Sequence, residues 1–146
     1  MKRRVPVRKR KPRNIRTLTI VREEWHRGGY TPERGESRLL NPANGLKCCL
    51  GFLALRCGYA PEEIRSALSP SDVRNPNLFP RAFVADSIDR RNDDSELTNR
   101  LVDANDNENI RGAARERRIA KLFAEAGITV RFVDTRKETR KKHADR

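Results

Sequence analysis

Aromatic residues are scarce: five Phe, two Tyr and one Trp in 146 residues. Few rings are therefore available to stack on bases, and the apolar core must be small. Long apolar runs are missing as well. The longest uncharged stretches, residues 39–46 and 48–55, have eight residues each, far short of the ~20 that cross a bilayer. No apolar stretch follows the basic start, so no secretory leader is expected. A reducing cytoplasm, that of a bacterial host cell, is the expected compartment. Three cysteines, an odd number with two adjacent, fit free thiols in that setting. Histidine occurs only as His26 and His143. No glycine-rich phosphate loop, dinucleotide fingerprint or nucleophile elbow is present, which disfavours NTPases, Rossmann enzymes and α/β-hydrolases.

Positive charge is abundant: 33 Lys and Arg against 20 Asp and Glu give a net +13. Its distribution is uneven. Residues 1–16 hold nine basic and no acidic residues, residues 17–133 hold 18 basic and 17 acidic, and residues 134–146 hold six and three. A nearly neutral domain between two cationic tails is expected to attach electrostatically to a polyanion, most simply nucleic acid, by neutralising phosphates and releasing counterions. The residues expected to do this are Lys2, Arg3, Arg4, Arg8, Lys9, Arg10, Lys11, Arg13 and Arg16. With no aromatic among them, they should grip backbone and not read sequence. Pro6 and Pro12 break any helix, so a membrane-lying amphipathic anchor is a poor fit and no membrane partner is expected.

Leu, Ile, Val and Phe make up 32 of the 146 residues, only just enough for a folded core. We read residues 1–16 as a disordered basic arm, 17–133 as one α+β domain and 134–146 as a basic tail. Residues 17–21 (TLTIV) have the β-branched content of a strand, and residues 23–27 form a helical turn ended by Gly28 and Gly29. Residues 38–40 are a second short strand candidate before an Asn41–Gly45 turn. Residues 46–57 (LKCCLGFLALRC) place large side chains all round a helix axis, the pattern of a buried central helix, which Gly58 should end. Pro61 opens a short helix to Leu68. Residues 81–88 fit helix or strand equally, 89–94 a solvated turn, and 96–102 a short helix. Residues 110–126 are the clearest amphipathic helix: Ile119, Leu122, Phe123 and Ala126 recur on one face, with Arg117, Lys121 and Glu125 opposite. Gly127 stops it. Residues 128–133 then alternate as a closing strand expected to pair with 17–21, so that a small sheet packs around the central and C-terminal helices.

The segments 47–54 (KCCLGFLA), 101–106 (LVDAND), 115–123 (RERRIAKLF) and 127–133 (GITVRFV) resemble small uncharacterised proteins of bacteriophages and prophages with a "CCLGFL" helix and a "VDxND" turn. The resemblance spans about residues 17–133, and the basic tails depart from it. It implies a phage accessory protein in a bacterial cytoplasm and carries no activity.

Cys48 and Cys49 sit at an expected helix N-terminus, where a thiol can be activated. The bases on offer are His26, upstream, and His143, in the tail. Small apolar core residues are the better reading for both thiols and for Cys57. Adjacent cysteines plus Cys57 lack the paired spacing that wraps zinc, so no metal and no cofactor are expected. Residues 103–110 (DANDNENI) alternate oxygen ligands like a calcium loop, but position six is Glu108 and position twelve is Ala114. Asn107 or Asn109 capping the following helix, with Asp106 and Glu108 beside its dipole, explains them better. The carboxylate pairs Glu23-Glu24, Glu62-Glu63 and Asp93-Asp94 read as solvated charge. The expected function is thus a non-enzymatic, phage-type accessory protein that binds nucleic acid or nucleoprotein without sequence specificity. A protein-partner module modulating a host enzyme, and a thiol enzyme using Cys48 or Cys49, stand as alternatives.

Overall fold

The computed structural model describes residues 10–84 and 94–135. The turn expected at 89–94 and the second half of the ambiguous 81–88 segment lie almost wholly outside those residues, as does most of the C-terminal tail. Strand β1 (Thr17–Val21) pairs in parallel with β2 (Thr129–Val133), with Thr17 opposite Thr129 and Val21 opposite Val133. Between them lie α1 (Cys49–Arg56), α2 (Pro61–Ile64), α3 (Glu96–Asp106) and α4 (Gly112–Glu125), with one 3₁₀ turn before α1 and three between α2 and α3 among the described residues. The first and last elements of the domain thus close one small sheet, and the chain is a small α+β fold.

Alternation builds β1: Leu18 and Ile20 are buried while Thr17 and Thr19 face solvent. On the core side lies α1, whose residues 49–54 are all buried, as its all-round apolar pattern requires. Gly51 explains how this helix comes so close. A Cβ there would stand 1.8 Å from the carbonyl oxygen of Leu39, so no other residue fits without displacing the 38–40 segment. That segment is not a strand of the sheet. Leu40 instead makes an isolated bridge to Arg65, because its neighbours bond to the loop after α2, with Leu39 N donating to Ala67 O at 2.8 Å. Helix α4 presents Ile119, Leu122 and Phe123 inward, and Gly127, at φ 75°, ends it.

Two boundaries differ from those the sequence suggests. Ile15, placed in the arm by composition, is 6% exposed and joins the core. Residues 103–106, read as part of a capping loop, continue α3, which Ser95 caps at its start by accepting from Thr98 N at 3.1 Å. Neither Asn107 nor Asn109 caps α4. Asn107 Oδ1 accepts from Asn109 N at 2.9 Å, and the N-cap of α4 is Arg111, which makes no side-chain cap bond. The extra turn of α3 is held by Arg115. Its guanidinium donates to the carbonyls of Ala104, Asn105, Asn107 and Ile110, so a cation satisfies the otherwise orphaned carbonyls at a helix C-terminus. Burial and the nearby guanidinium of Arg27 hold its pKa below the ordinary arginine value.

Asn105, 1% exposed, ties these parts together. Its Oδ1 accepts from Trp25 Nε1 at 2.8 Å and from Cys49 N at 3.0 Å, the latter capping α1 from a different helix. Its Nδ2 donates to His26 O at 2.9 Å, and its carbonyl accepts from Gly28 N at 2.8 Å. Asn105→Ala leaves two buried donors without acceptors, each costing about 1–3 kcal/mol, so we expect a loss of about 2–5 kcal/mol in a urea melt. The exposed neighbour Asn99→Ala should stay within about 0.5 kcal/mol of wild type. Equal losses from the two would show that Asn105 is not a hub.

Candidate nucleic-acid interface

Of the nine basic residues expected to grip phosphate, Lys2, Arg3, Arg4, Arg8 and Lys9 lie outside the described residues. The other four do not form a free arm. Arg10 pairs with Glu63 and donates to Gly58 O at 3.3 Å. Arg13 Nη1 reaches Arg56 O at 3.4 Å, at the C-terminal end of α1, and Arg16 O accepts from Thr129 N at 2.9 Å, extending the sheet. Residues 10–16 therefore lie along the body, with Lys11, Arg13 and Arg16 exposed. The Arg10 guanidinium holds the Glu63 carboxyl down at about 2, helped by the Ala60 amide, which donates to it at 2.9 Å.

A second basic surface was missed by summing charge over segments. Helices α3 and α4 border a groove of about 390 Å³ walled by Arg100, Arg117, Arg118, Lys121, Leu122 and Glu125. Glu125 is engaged by Arg100 at 3.2 Å. No carboxylate among the described residues lies within ion-pair distance of Arg117, Arg118 or Lys121. The signal was present in the 117, 121 and 125 spacing, but the net +1 of residues 17–133 concealed it. Folding sorts the charge: the apolar face of α4 turns inward and leaves its cationic face to solvent.

The cysteines are core residues. Cys48, Cys49 and Cys57 are free thiols with at most 5% exposure, and burial pushes Cys48 up to about 12 and Cys57 up to about 11. Although Cys49 begins α1, Asn105 already occupies its amide. His26 is fully buried, and its Nε2 is engaged with Gly29 O at 2.6 Å. No hydrogen bond joins it to any of the three sulfurs among the described residues. Those residues also contain no His, Cys, Asp and Glu group suited to a metal ion and no helix long and apolar enough to cross a membrane. Asp103 and Asp106 belong to α3, so residues 103–110 do not form a calcium loop.

Comparison with protein-family models, curated proteins and solved structures gives no match in any of the three.

Two measurements check this site. Alkylation of the native protein at pH 7 should be slow for Cys48 and Cys49 and accelerate steeply in denaturant, since a buried thiol reacts only on opening. Fast labelling in buffer would instead expose an activated sulfur. The Arg10–Glu63 contact should hold residues 10–16 down above about pH 4.5 and weaken as pH falls toward 2, because the carboxyl is depressed in the folded state. Glu63→Gln should accordingly speed tryptic cleavage after Arg13 at neutral pH, and unchanged cleavage would mean that the contact does not anchor the arm.

Proposed function

We propose that the protein binds nucleic acid through its sugar-phosphate backbone, without reading sequence, as a non-catalytic accessory factor of phage type. The observation that carries this reading is the side-by-side placement of Arg117, Arg118 and Lys121, without carboxylate partners among the described residues, on the groove between α3 and α4. Lysine and arginine in such an arrangement neutralise successive phosphates and release counterions. The groove walls include no aromatic ring and no amide side chain, so base stacking and base-edge pairing have little to work with, and contact falls on the backbone. The basic residues at the start of the chain add long-range attraction. Arg10 adds less, because Glu63 offsets its charge.

Filter binding to unrelated single-stranded and duplex oligonucleotides in rising salt tests the proposal. Affinity should fall steeply with salt and differ little between sequences. The variant R117Q/R118Q/K121Q should lower affinity about tenfold or more at ~0.1 M salt, and each lost phosphate contact should reduce the log–log slope by about one. Gln replacement of Lys2, Arg3, Arg4, Arg8 and Lys9 should flatten the slope further. Wild-type affinity in the triple variant would remove the groove from the interface. A salt-insensitive complex that survives nuclease treatment would favour the protein-partner module instead.

A further inference from the structure

At the junction of α3 and α4, away from the groove just described, lies a cleft of about 470 Å³ walled by Arg27, Arg34, Arg111, Arg115, Gly112 and Glu108 among others. Four arginines thus line one cleft with a single carboxylate residue among its walls. Their positions are built and not incidental. Arg115 is 6% exposed and fixed by the four carbonyls at the end of α3. Arg34 is held from behind, its Nη1 donating to Arg27 O at 2.8 Å and its Nε to Thr31 Oγ1 at 3.3 Å. Arg27 lies 4.9 Å over the Trp25 ring. It approaches Glu116 at 3.8 Å, but that carboxylate is already gripped through both oxygens by Arg22 at 2.7 and 3.1 Å.

Convergence is closest above Gly28. The Nη2 atoms of Arg115 and Arg34 stand 3.8 and 3.9 Å from the point where a Cβ on that residue would lie. Arg115 Nη2 already donates to Asn107 and Ile110, but two cations this close repel each other, and an anion nearby would relieve that repulsion. Arg34 Nη2 has no acceptor among the described residues, so a donor faces the cleft unused. Gly112 on the cleft wall begins α4, which has neither a side-chain cap nor an acidic residue in its first turn. The nearby negative groups are Glu108 in the wall, Asp106 beside Arg115 and Glu116 near Arg27, the last already engaged by Arg22, too few to balance the arginines.

We propose that this cleft is a phosphate-binding site, in which Arg34, Arg111 and Arg27 clasp a phosphoryl group against the start of α4 while Arg115 supplies fixed positive charge beneath it. Planar guanidinium forks match phosphate oxygens in pairs, and helix amides add donors that cost little to organise. The shared chemistry is a phosphoryl oxyanion, which can come from free phosphate, from a terminal phosphate of a nucleic acid or from an internal phosphodiester. The site does not depend on the groove formed by Arg117, Arg118 and Lys121.

Titration of the full-length protein with inorganic phosphate, followed by calorimetry and by thermal melting at constant ionic strength against chloride, tests it. Saturable binding at one site is expected, with a melting-temperature rise that chloride does not reproduce. Arg111→Gln, at an exposed residue whose side chain makes no hydrogen bond or ion pair among the described residues, should weaken binding about fivefold with an unchanged melt in chloride. Arg34→Gln should weaken it tenfold or more. R117Q/R118Q/K121Q should bind phosphate as wild type does, which separates failure of the cleft from failure of the groove. Oligonucleotides with a 5′-phosphate and a 5′-hydroxyl identify the source: stronger loss on Arg111→Gln for the phosphorylated end assigns a terminal phosphate, and equal loss for both assigns the backbone. No saturable phosphate binding, or binding indifferent to both single substitutions, overturns the proposal.

Discussion

The structure depends on one buried amide. Asn105 sits where α3, the N-terminus of α1 and the segment after β1 meet, and its side chain and carbonyl bond to groups on all of them. Apolar packing alone would leave this corner with the indole N–H of Trp25, the first amide of α1 and the carbonyl of His26 buried and unmatched. Each would carry a desolvation penalty comparable to a lost hydrogen bond. A single planar group with two acceptor and two donor positions resolves them together. Because the surroundings are dry, its bonds reinforce one another and fix orientation as well as adding stability. The same corner places Arg115, which draws on the Asn105 carbonyl, so the positive charge at the α3–α4 junction is a product of the core and not an ornament on the surface.

Charge in this protein is organised at two scales. Along the chain, most of the excess lies in the first sixteen residues. In space, a nominally balanced domain separates its charges, because helical periodicity turns Ile119, Leu122 and Phe123 inward and leaves Arg117, Arg118 and Lys121 together outside. Carboxylates are spent elsewhere. Glu116 and Asp134 hold Arg22, Glu125 holds Arg100 and Glu63 holds Arg10. Each such half-exposed pair contributes little to stability, about 0–1 kcal/mol. Their larger effect is to decide which cations remain unmatched, and three of those, Arg117, Arg118 and Lys121, stand together on α4.

Much of the architecture was legible because it is written in local pattern. Alternation in β1, the all-round apolar character of α1 and the 119, 122, 123 and 126 spacing of α4 each follow from neighbours within a few residues. Even the pairing of the first strand with the last could be anticipated, as the two best strand segments in the chain. What was not legible is non-local. DANDNENI reads as a polar loop until Arg115, ten residues on, supplies a cation for the carbonyls of Ala104 and Asn105, and until Trp25 and Cys49 give Asn105 a reason to be buried. Ile15 looked like part of a cationic arm because the residues beside it are charged, yet its side chain belongs to the sheet's core. The basic surfaces escaped for a related reason: net charge is a sum, and a sum discards position.

The contrast among helix starts sharpens the reading of the α3–α4 junction. Helix α3 is capped by Ser95 and carries Glu96 in its first turn, and α2 opens with Pro61, Glu62 and Glu63. Helix α1 borrows its cap from Asn105. Every one of these starts obeys the rule that exposed amides and the positive end of the dipole take an acceptor or a negative charge. Helix α4, the longest, does not: Arg111 stands at its N-cap, no acid follows in the first turn, and Arg27, Arg34 and Arg115 crowd the same volume. A chain that satisfies this rule three times and breaks it once has the chemical means to cap α4 and does not use them. Such a local conflict, tolerated inside an otherwise self-consistent fold, is typical of a site kept for a ligand. The excess charge here is positive, so the partner that would complete this corner is an anion.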